Sequence, residues 1–204
     1  MITNIENIEI YKEMLETNRW EAGFFNNNNI TKIKDIMEYV LKDVAKADTY
    51  EKACEILTPE FIQEHKIEKL FKLYKVPEML PNEYYYMAWL VFPEHKPSDK
   101  ELIIKTYKDV IEGRRKLFPS KYFINGRDPE FRAKVCFDYL CKEILKLDKE
   151  GIIATFGNSG GIKVLGQYKL KMIVDVVFES LGDLLSTTYP RIYDNNVKEV
   201  FLNE

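Results

Sequence analysis

This sequence predicts an all-α fold built from two diverged helical units in tandem, about four helices in each. Three observations lead to that reading. Stretches of the first half return in the second at a nearly constant offset, apolar residues recur at helical spacing, and cap and stop residues stand at the ends of the periodic segments. The division falls near residue 96, giving an acidic first unit, 1–96, and a second unit, 97–204, that contains a basic stretch.

The self-similarity is collinear. Tyr11-Lys-Glu-Met-Leu-Glu-Thr-Asn-Arg19 aligns without a gap on Tyr107-Lys-Asp-Val-Ile-Glu-Gly-Arg-Arg115. Trp20 with Phe24 and Phe25 answers Phe118 with Tyr122 and Phe123. Glu38–Val44 answers Asp138–Ile144, Asp48 answers Asp148, and Phe92-Pro93 answers Tyr189-Pro190. The offset drifts only between 96 and 100 residues.

Helix one is expected over 4–18 and 98–116. Its second copy opens with Ser98 and Glu101 at capping-box spacing, where each side chain satisfies a free amide of the other residue. An aromatic connector follows at 19–25 and 117–124, and its rings Trp20, Phe25, Phe118 and Phe123 are expected to seal each core. Helix two is expected over 30–46 and 128–147. Asp128 caps the second copy and Pro129 takes the first helical position, where a missing N–H costs nothing. Its apolar positions Phe131, Val135, Leu140, Ile144 and Leu147 keep the helical period.

A third helix is expected from Thr58-Pro59 to about Tyr74, with a counterpart between 161 and 178. The β-branched run Met172–Phe178 would suit a strand by propensity, but its place in the repeat favours helix. A short helix precedes each aromatic-Pro stop, since proline disfavours helix in the residue before it. A last amphipathic segment is expected over about 194–202.

Composition limits the function. With 46% hydrophobic and 31% charged residues the 204-residue chain reads as globular rather than disordered. No apolar run reaches the roughly 18 residues of a bilayer span, and the N-terminus lacks the basic start and apolar core of a signal peptide. A soluble, cytoplasmic chain with no membrane partner is expected. Three cysteines argue against a disulfide framework, and Cys136 and Cys141 sit in apolar helical patterns as small buried hydrophobes.

No catalytic residue, metal or cofactor is expected. Gly157-Asn-Ser-Gly-Gly161 fits the G-x-S-x-G spacing of a nucleophile elbow, which needs a preceding strand, a histidine base and an orienting acid. The chain has only His65 and His95, one in a glutamate-rich helix and the other in a polar loop. The glycine string therefore reads as a turn in which glycines supply positive φ. A phosphate-binding P-loop is excluded because no lysine follows Gly166. Two histidines 30 positions apart and scattered cysteines give no zinc-ligand spacing.

Charge is unevenly distributed. Residues 1–96 hold 12 Lys and Arg against 17 Asp and Glu, residues 97–204 hold 18 against 16, and residues 105–134 hold 9 against 4. Arg114, Arg115 and Lys116 end helix one of the second unit, where the macrodipole alone favours cations. Lys121, Arg127, Arg132 and Lys134 follow across the connector and into helix two. Arginines near a helix N-terminus with aromatics beside them suit phosphate contact. These seven residues are the candidate nucleic-acid surface. The run Tyr84-Tyr-Tyr-Met-Ala-Trp89 offers the alternative of a protein-binding module, an inhibitor or adaptor, if exposed; burial in a helix core is the expected state.

Gly113-Arg-Arg-Lys-Leu-Phe-Pro119 with Tyr122-Phe123, then Arg132, Asp138-Tyr139-Leu140, the glycine loop near 160 and Tyr189-Pro190, resembles the uncharacterised tandem helical repeats of firmicute and phage-related proteins. Their units read roughly R-x-x-F-P-x-x-[FY]-W, then a helix with W-L or Y-L, a Gly-Gly loop and an aromatic-Pro end. Here Tyr122-Phe123 replaces the aromatic-Trp pair, and no tryptophan follows Tyr189-Pro190. The resemblance implies a non-enzymatic protein that binds nucleic acid and carries over no catalytic residue; with the basic stretch it leads to the expectation of a regulatory, DNA-binding protein.

Overall fold

The computed structural model describes residues 5–27, 29–125 and 128–190, and every regular element among them is helical. The chain divides into two compact units, Met1–Pro97 and Ser98–Glu204. No helix among the described residues is long and apolar enough to cross a membrane. The amphipathic segment expected at 194–202 lies outside the described residues.

Unit 1 begins with α1 (Ile5–Thr17), whose buried face carries Tyr11 and Met14. After the connector, α2 (Asn29–Glu38) runs directly into a π-helical turn, Tyr39–Val44. Lys46, at φ 55°, lies just beyond the turn. Then come α3 (Tyr50–Ile56), α4 (Pro59–Glu64) and α5 (Glu68–Leu73), the first two capped by the hydroxyls of Thr49 and Thr58. A 3-10 turn, Tyr84–Leu90, precedes Pro93.

The core of unit 1 is organised around the ring of Tyr11. It stacks on Trp20 with centroids 6.1 Å apart and meets Tyr39 edge-on at 6.2 Å. Its hydroxyl donates to the His65 carbonyl at 2.8 Å. Trp20 in turn packs on Phe24 and Phe25 at 5.8 and 4.9 Å. The Lys32 ammonium donates to the Phe24 carbonyl and lies 4.7 Å from the centre of the Phe24 ring. A buried polar pair, Asn7 Nδ2 donating to Asp35 Oδ2 at 2.7 Å, ties α1 to α2.

Unit 2 begins with α6 (Asp99–Ile111), closed at its start by the Ser98–Glu101 capping box. In α7 (Pro129–Tyr139) the Asp128 carboxylate accepts the Phe131 N–H at 2.8 Å. A π-helical turn, Leu140–Ile144, follows, and Lys146 lies beyond it at φ 52°. The remaining elements are α8 (Lys149–Phe156), α9 (Gly160–Gln167), α10 (Lys171–Val176) and α11 (Leu181–Thr188).

Here Tyr107 holds the centre. Its ring stacks on Phe118 at 6.0 Å, meets Tyr139 edge-on at 6.2 Å, and its hydroxyl donates to the Tyr168 carbonyl at 3.0 Å. Phe118 packs on Tyr122 and Phe123 at 5.4 and 4.8 Å. Around these rings Cys136, Phe137, Leu140, Cys141, Phe156 and Leu184 are fully buried.

Several expectations need correction. Helix one of the second unit ends at Ile111, five residues short of Lys116. Gly113 turns into the left-handed region at φ 77°, and the Arg115 N–H bonds back to the Asp109 carbonyl at 2.8 Å. The third helix of each unit is broken into two, because Lys66 (φ 52°) and Lys169 (φ 62°) reverse the chain in its middle. Residues 152–156 belong to α8, and α3 adds another short helix, so each unit holds more than four. Met172–Val176 is helical despite its β-branched residues, since only Ile173 is buried and the Val177 N–H returns to its carbonyl at 3.0 Å. Trp20 and Phe118 are half-buried at the core margin, whereas Phe25 and Phe123 are buried.

The glycine string also differs from expectation. Gly23 and Gly113 are the glycines with positive φ among the described residues, so Gly157, Gly160 and Gly161 are not there for left-handed backbone. Size explains Gly161. A Cβ there would lie 2.7 Å from Leu181 Cδ2 and 2.9 Å from Phe156 Cα. Gly161→Ala is therefore expected to destabilise unit 2 by about 1–3 kcal/mol through overpacking. Gly166→Ala in the same helix meets nothing within 4 Å. It should stabilise by about 0.5–1 kcal/mol through helix propensity. Thermal denaturation of the two variants checks the opposite signs.

Candidate functional site

Of the seven basic residues singled out from sequence, Arg114, Arg132 and Lys134 are engaged by other groups of unit 2. Arg114 Nη2 lies 2.6 Å from Asp109 Oδ1 and 2.9 Å from Glu112. The Asp109 side chain is only 1% exposed and also pairs with Lys105 at 2.9 Å. A buried carboxylate stripped of its cations is costly, so Arg114 is committed to neutralising it. Arg132 is structural as well. Its Nη1 donates to the Tyr122 carbonyl at 3.1 Å and its guanidinium lies 4.7 Å from the centre of the Tyr122 ring. That fork clamps the connector to α7, which accounts for an arginine near a helix N-terminus without invoking phosphate. Lys134 pairs with Glu130 one turn earlier at 3.1 Å. Arg115 is half-buried, and Arg127 lies outside the described residues.

Lys116 and Lys121 are exposed, and the fold brings two further lysines to them. A groove of about 390 Å³ is lined by Lys116 just before the connector, Lys121 within it, Lys169 from the turn between α9 and α10, and Lys171 at the start of α10. The Tyr107 hydroxyl explains the meeting. By holding the Tyr168 carbonyl it fixes the next residue, Lys169, beside the connector that Phe118 packs onto the same Tyr107 ring. None of the four lysines makes an ion pair or side-chain hydrogen bond among the described residues. The rest of the lining is Ser120 and five apolar residues, Val110, Leu117, Phe118, Pro119 and Met172. Leu117 is 71% exposed, the highest value for a large apolar side chain among the described residues.

Sequence reading missed Lys169 and Lys171 because nearly fifty residues separate them from Lys121. The available signal was the self-similarity of the sequence. His65-Lys66 stands to Tyr11 as Tyr168-Lys169 stands to Tyr107, and the lysine follows the carbonyl that the tyrosine holds in both cases.

Around Tyr11 the corresponding place is differently furnished. Lys66 donates to the Leu15 carbonyl at 2.8 Å, and Lys69 lies over Trp20 and Phe25 at 5.9 and 5.0 Å. The stretch from Tyr11 to Trp20 is two residues shorter than that from Tyr107 to Phe118, and Gly23 (φ 79°) holds the left-handed position that Lys121 (φ 60°) holds in unit 2.

Among the described residues no histidine of unit 2 accompanies Ser159. Ser159 precedes α9 in unit 2, whereas both histidines lie in unit 1, His65 against Phe61 at 4.2 Å and His95 stacked on Tyr50 at 4.4 Å. Among the described residues no group of three or more His, Cys, Asp or Glu could hold a metal ion. Of the Tyr84–Trp89 run, Tyr86, Met87, Ala88 and Trp89 are buried, and the Trp89 indole donates to the Tyr50 hydroxyl at 3.1 Å.

Residues 103–194, a little under half of the chain and all within unit 2, match a family described as a protein of unknown function (DUF4046). No curated protein and no solved structure matches the chain.

Proposed function

We propose that the chain is a non-enzymatic, regulatory binding protein made of two diverged copies of one helical unit, related to the tandem repeats of firmicutes and their phages, and that its second copy binds nucleic acid. The observation that carries the binding reading is the groove of unit 2, where four exposed lysines without ion pairs gather around one concavity. Lysine is a hydrated point charge suited to phosphate, and convergent lysines with no carboxylate partner are the electrostatic footprint of a polyanion site.

Matching geometry supports the two-copy reading. Both units stack a tyrosine on the first connector ring, cross it with a second tyrosine from the π-helical turn or its edge, and bond its hydroxyl to a carbonyl ahead of a left-handed lysine. Both place a cation over the second connector ring and on that residue's carbonyl. The buried Asn7–Asp35 pair stands where unit 2 has Ile103 and Val135, so a polar pair is exchanged for an apolar pair together.

Counterion release sets the test. Anisotropy titrations with labelled DNA and RNA across a salt series should give log K falling with log salt at a slope of roughly −3 to −4, as expected for four neutralised phosphates. The variant Lys116/Lys121/Lys169/Lys171→Gln should lose most of that slope. Arg114→Ala should keep the slope and instead lower the melting temperature, because it uncovers Asp109. Absence of binding even at low salt would refute the reading.

One observation favours a protein partner as a second reading. Unit 1 carries a groove of about 580 Å³ whose lining includes Pro59, Phe71, Pro81, Tyr84 and Tyr86. Aromatic and proline walls of this kind suit a peptide.

A further inference from the structure

We infer that the unit 2 groove takes single-stranded nucleic acid and seats an unpaired base on its apolar floor; this rests on the nucleic-acid reading above. Charge alone does not separate strands. A duplex has the higher charge density, and four lysines on an otherwise polar face would hold it at least as tightly as a single strand. The floor makes the difference. A duplex turns phosphates and sugars outward and keeps its base faces stacked, so it leaves Leu117, Phe118, Pro119 and Met172 in water. An unpaired base offers a flat apolar face that can cover them. A cationic rim around an aromatic ring is the arrangement by which single strands are held without sequence readout; here the ring is Phe118, with Leu117, Pro119 and Met172 extending the apolar surface beside it.

Three features of the chain point the same way. Leu117, 71% exposed, is not a lone surface leucine but shares one groove lining with Phe118, Pro119 and Met172. The extra length between Tyr107 and Phe118, relative to Tyr11 and Trp20, ends in Lys116 and Leu117, so one cation and one apolar wall residue enter the groove together. The place held by Met172 in the groove falls to Lys69 in unit 1, whose ammonium lies over the Trp20 and Phe25 rings at 5.9 and 5.0 Å. Unit 1 sets a cation over its connector rings at this place, whereas unit 2 sets an apolar side chain there, between lysines contributed by both lining segments.

The experiment compares three labelled probes of matched length on the full chain: a single-stranded oligothymidine, a DNA duplex, and poly-glutamate. The single strand is expected to bind at least about ten-fold more tightly than the duplex, in line with the contribution of one stacked base. Leu117→Ser, at a surface position that keeps the fold, should weaken the single strand several-fold and leave the salt slope unchanged. Duplex binding equal to or tighter than single-strand binding overturns the inference while leaving the nucleic-acid reading in place. So does a Leu117→Ser variant with unchanged single-strand affinity. Poly-glutamate bound as tightly as the oligonucleotide overturns it too, by showing that anionic charge alone suffices. Binding of no nucleic acid at low salt removes both this inference and the reading beneath it.

Discussion

Tyr107→Ala is expected to cost unit 2 about 3–5 kcal/mol, the range for emptying a fully buried aromatic site. The residue is 0% exposed and does three things at once. It supports Phe118, it faces Tyr139, and its hydroxyl holds the Tyr168 carbonyl. A loss of that size is a large fraction of the roughly 5–15 kcal/mol that keeps a domain folded. Tyr107→Phe separates the roles. It keeps the ring and removes one hydrogen bond, so it should cost only about 0.5–1.5 kcal/mol. It should also loosen the turn carrying Lys169, and so weaken oligonucleotide binding by more than its small stability loss would indicate. Urea titrations of the two variants beside anisotropy titrations check this. Equal stability losses for Phe and Ala would show that the hydroxyl, not the ring, carries the site.

Alkaline pH should unfold the protein abruptly. Burial pushes the Tyr11 and Tyr107 phenols well above the ordinary tyrosine range and Tyr86 up to about 12. Desolvation likewise raises the Cys136 thiol, and Cys141 to about 12. These groups are neutral when protonated, so the unfolded chain loses its protons first, from about pH 8.5 for cysteine and pH 10 for tyrosine. Their stabilisation is whole below those values and is lost as pH rises toward the folded-state values. Tyr11 and Tyr107, which are fully buried and titrate only after unfolding, together remove about 2.7 kcal/mol per pH unit above pH 10. Helix content by circular dichroism should therefore collapse between about pH 10 and 12, with tyrosinate absorbance appearing in the same transition. A gradual rise in tyrosinate with helices intact would contradict the burial described above.

The sequence carried much of the helical reading and less of the site. Caps were legible because they are local, and Ser98, Glu101, Asp128 and Pro129 do what their spacing announced. The helical character of 172–176 was legible only through the repeat, since its β-branched residues argued the other way. Helix breaks were hidden because lysine, not glycine, occupies most of the left-handed positions outside the glycines, and a lysine in a helical run gives no warning. The π-helical turns left no trace in the apolar period. The candidate surface was half legible. Lys116 and Lys121 lay inside a visible basic stretch, but the cations beside them were to be spent on Asp109, Glu130 and the Tyr122 carbonyl, which only packing reveals. Lys169 and Lys171 reach the same groove through one tertiary hydrogen bond.

Lys121 has a consequence for how this protein would change under selection. It keeps a left-handed backbone at φ 60° that L side chains resist by about 1 kcal/mol. The first unit relieves that cost with Gly23. A population screened for heat resistance alone would accumulate glycine at position 121 and gain stability while losing a cation from the groove. Persistence of lysine there across generations would register a demand on the molecule other than folding, and its drift to glycine would mark a lineage free of that demand.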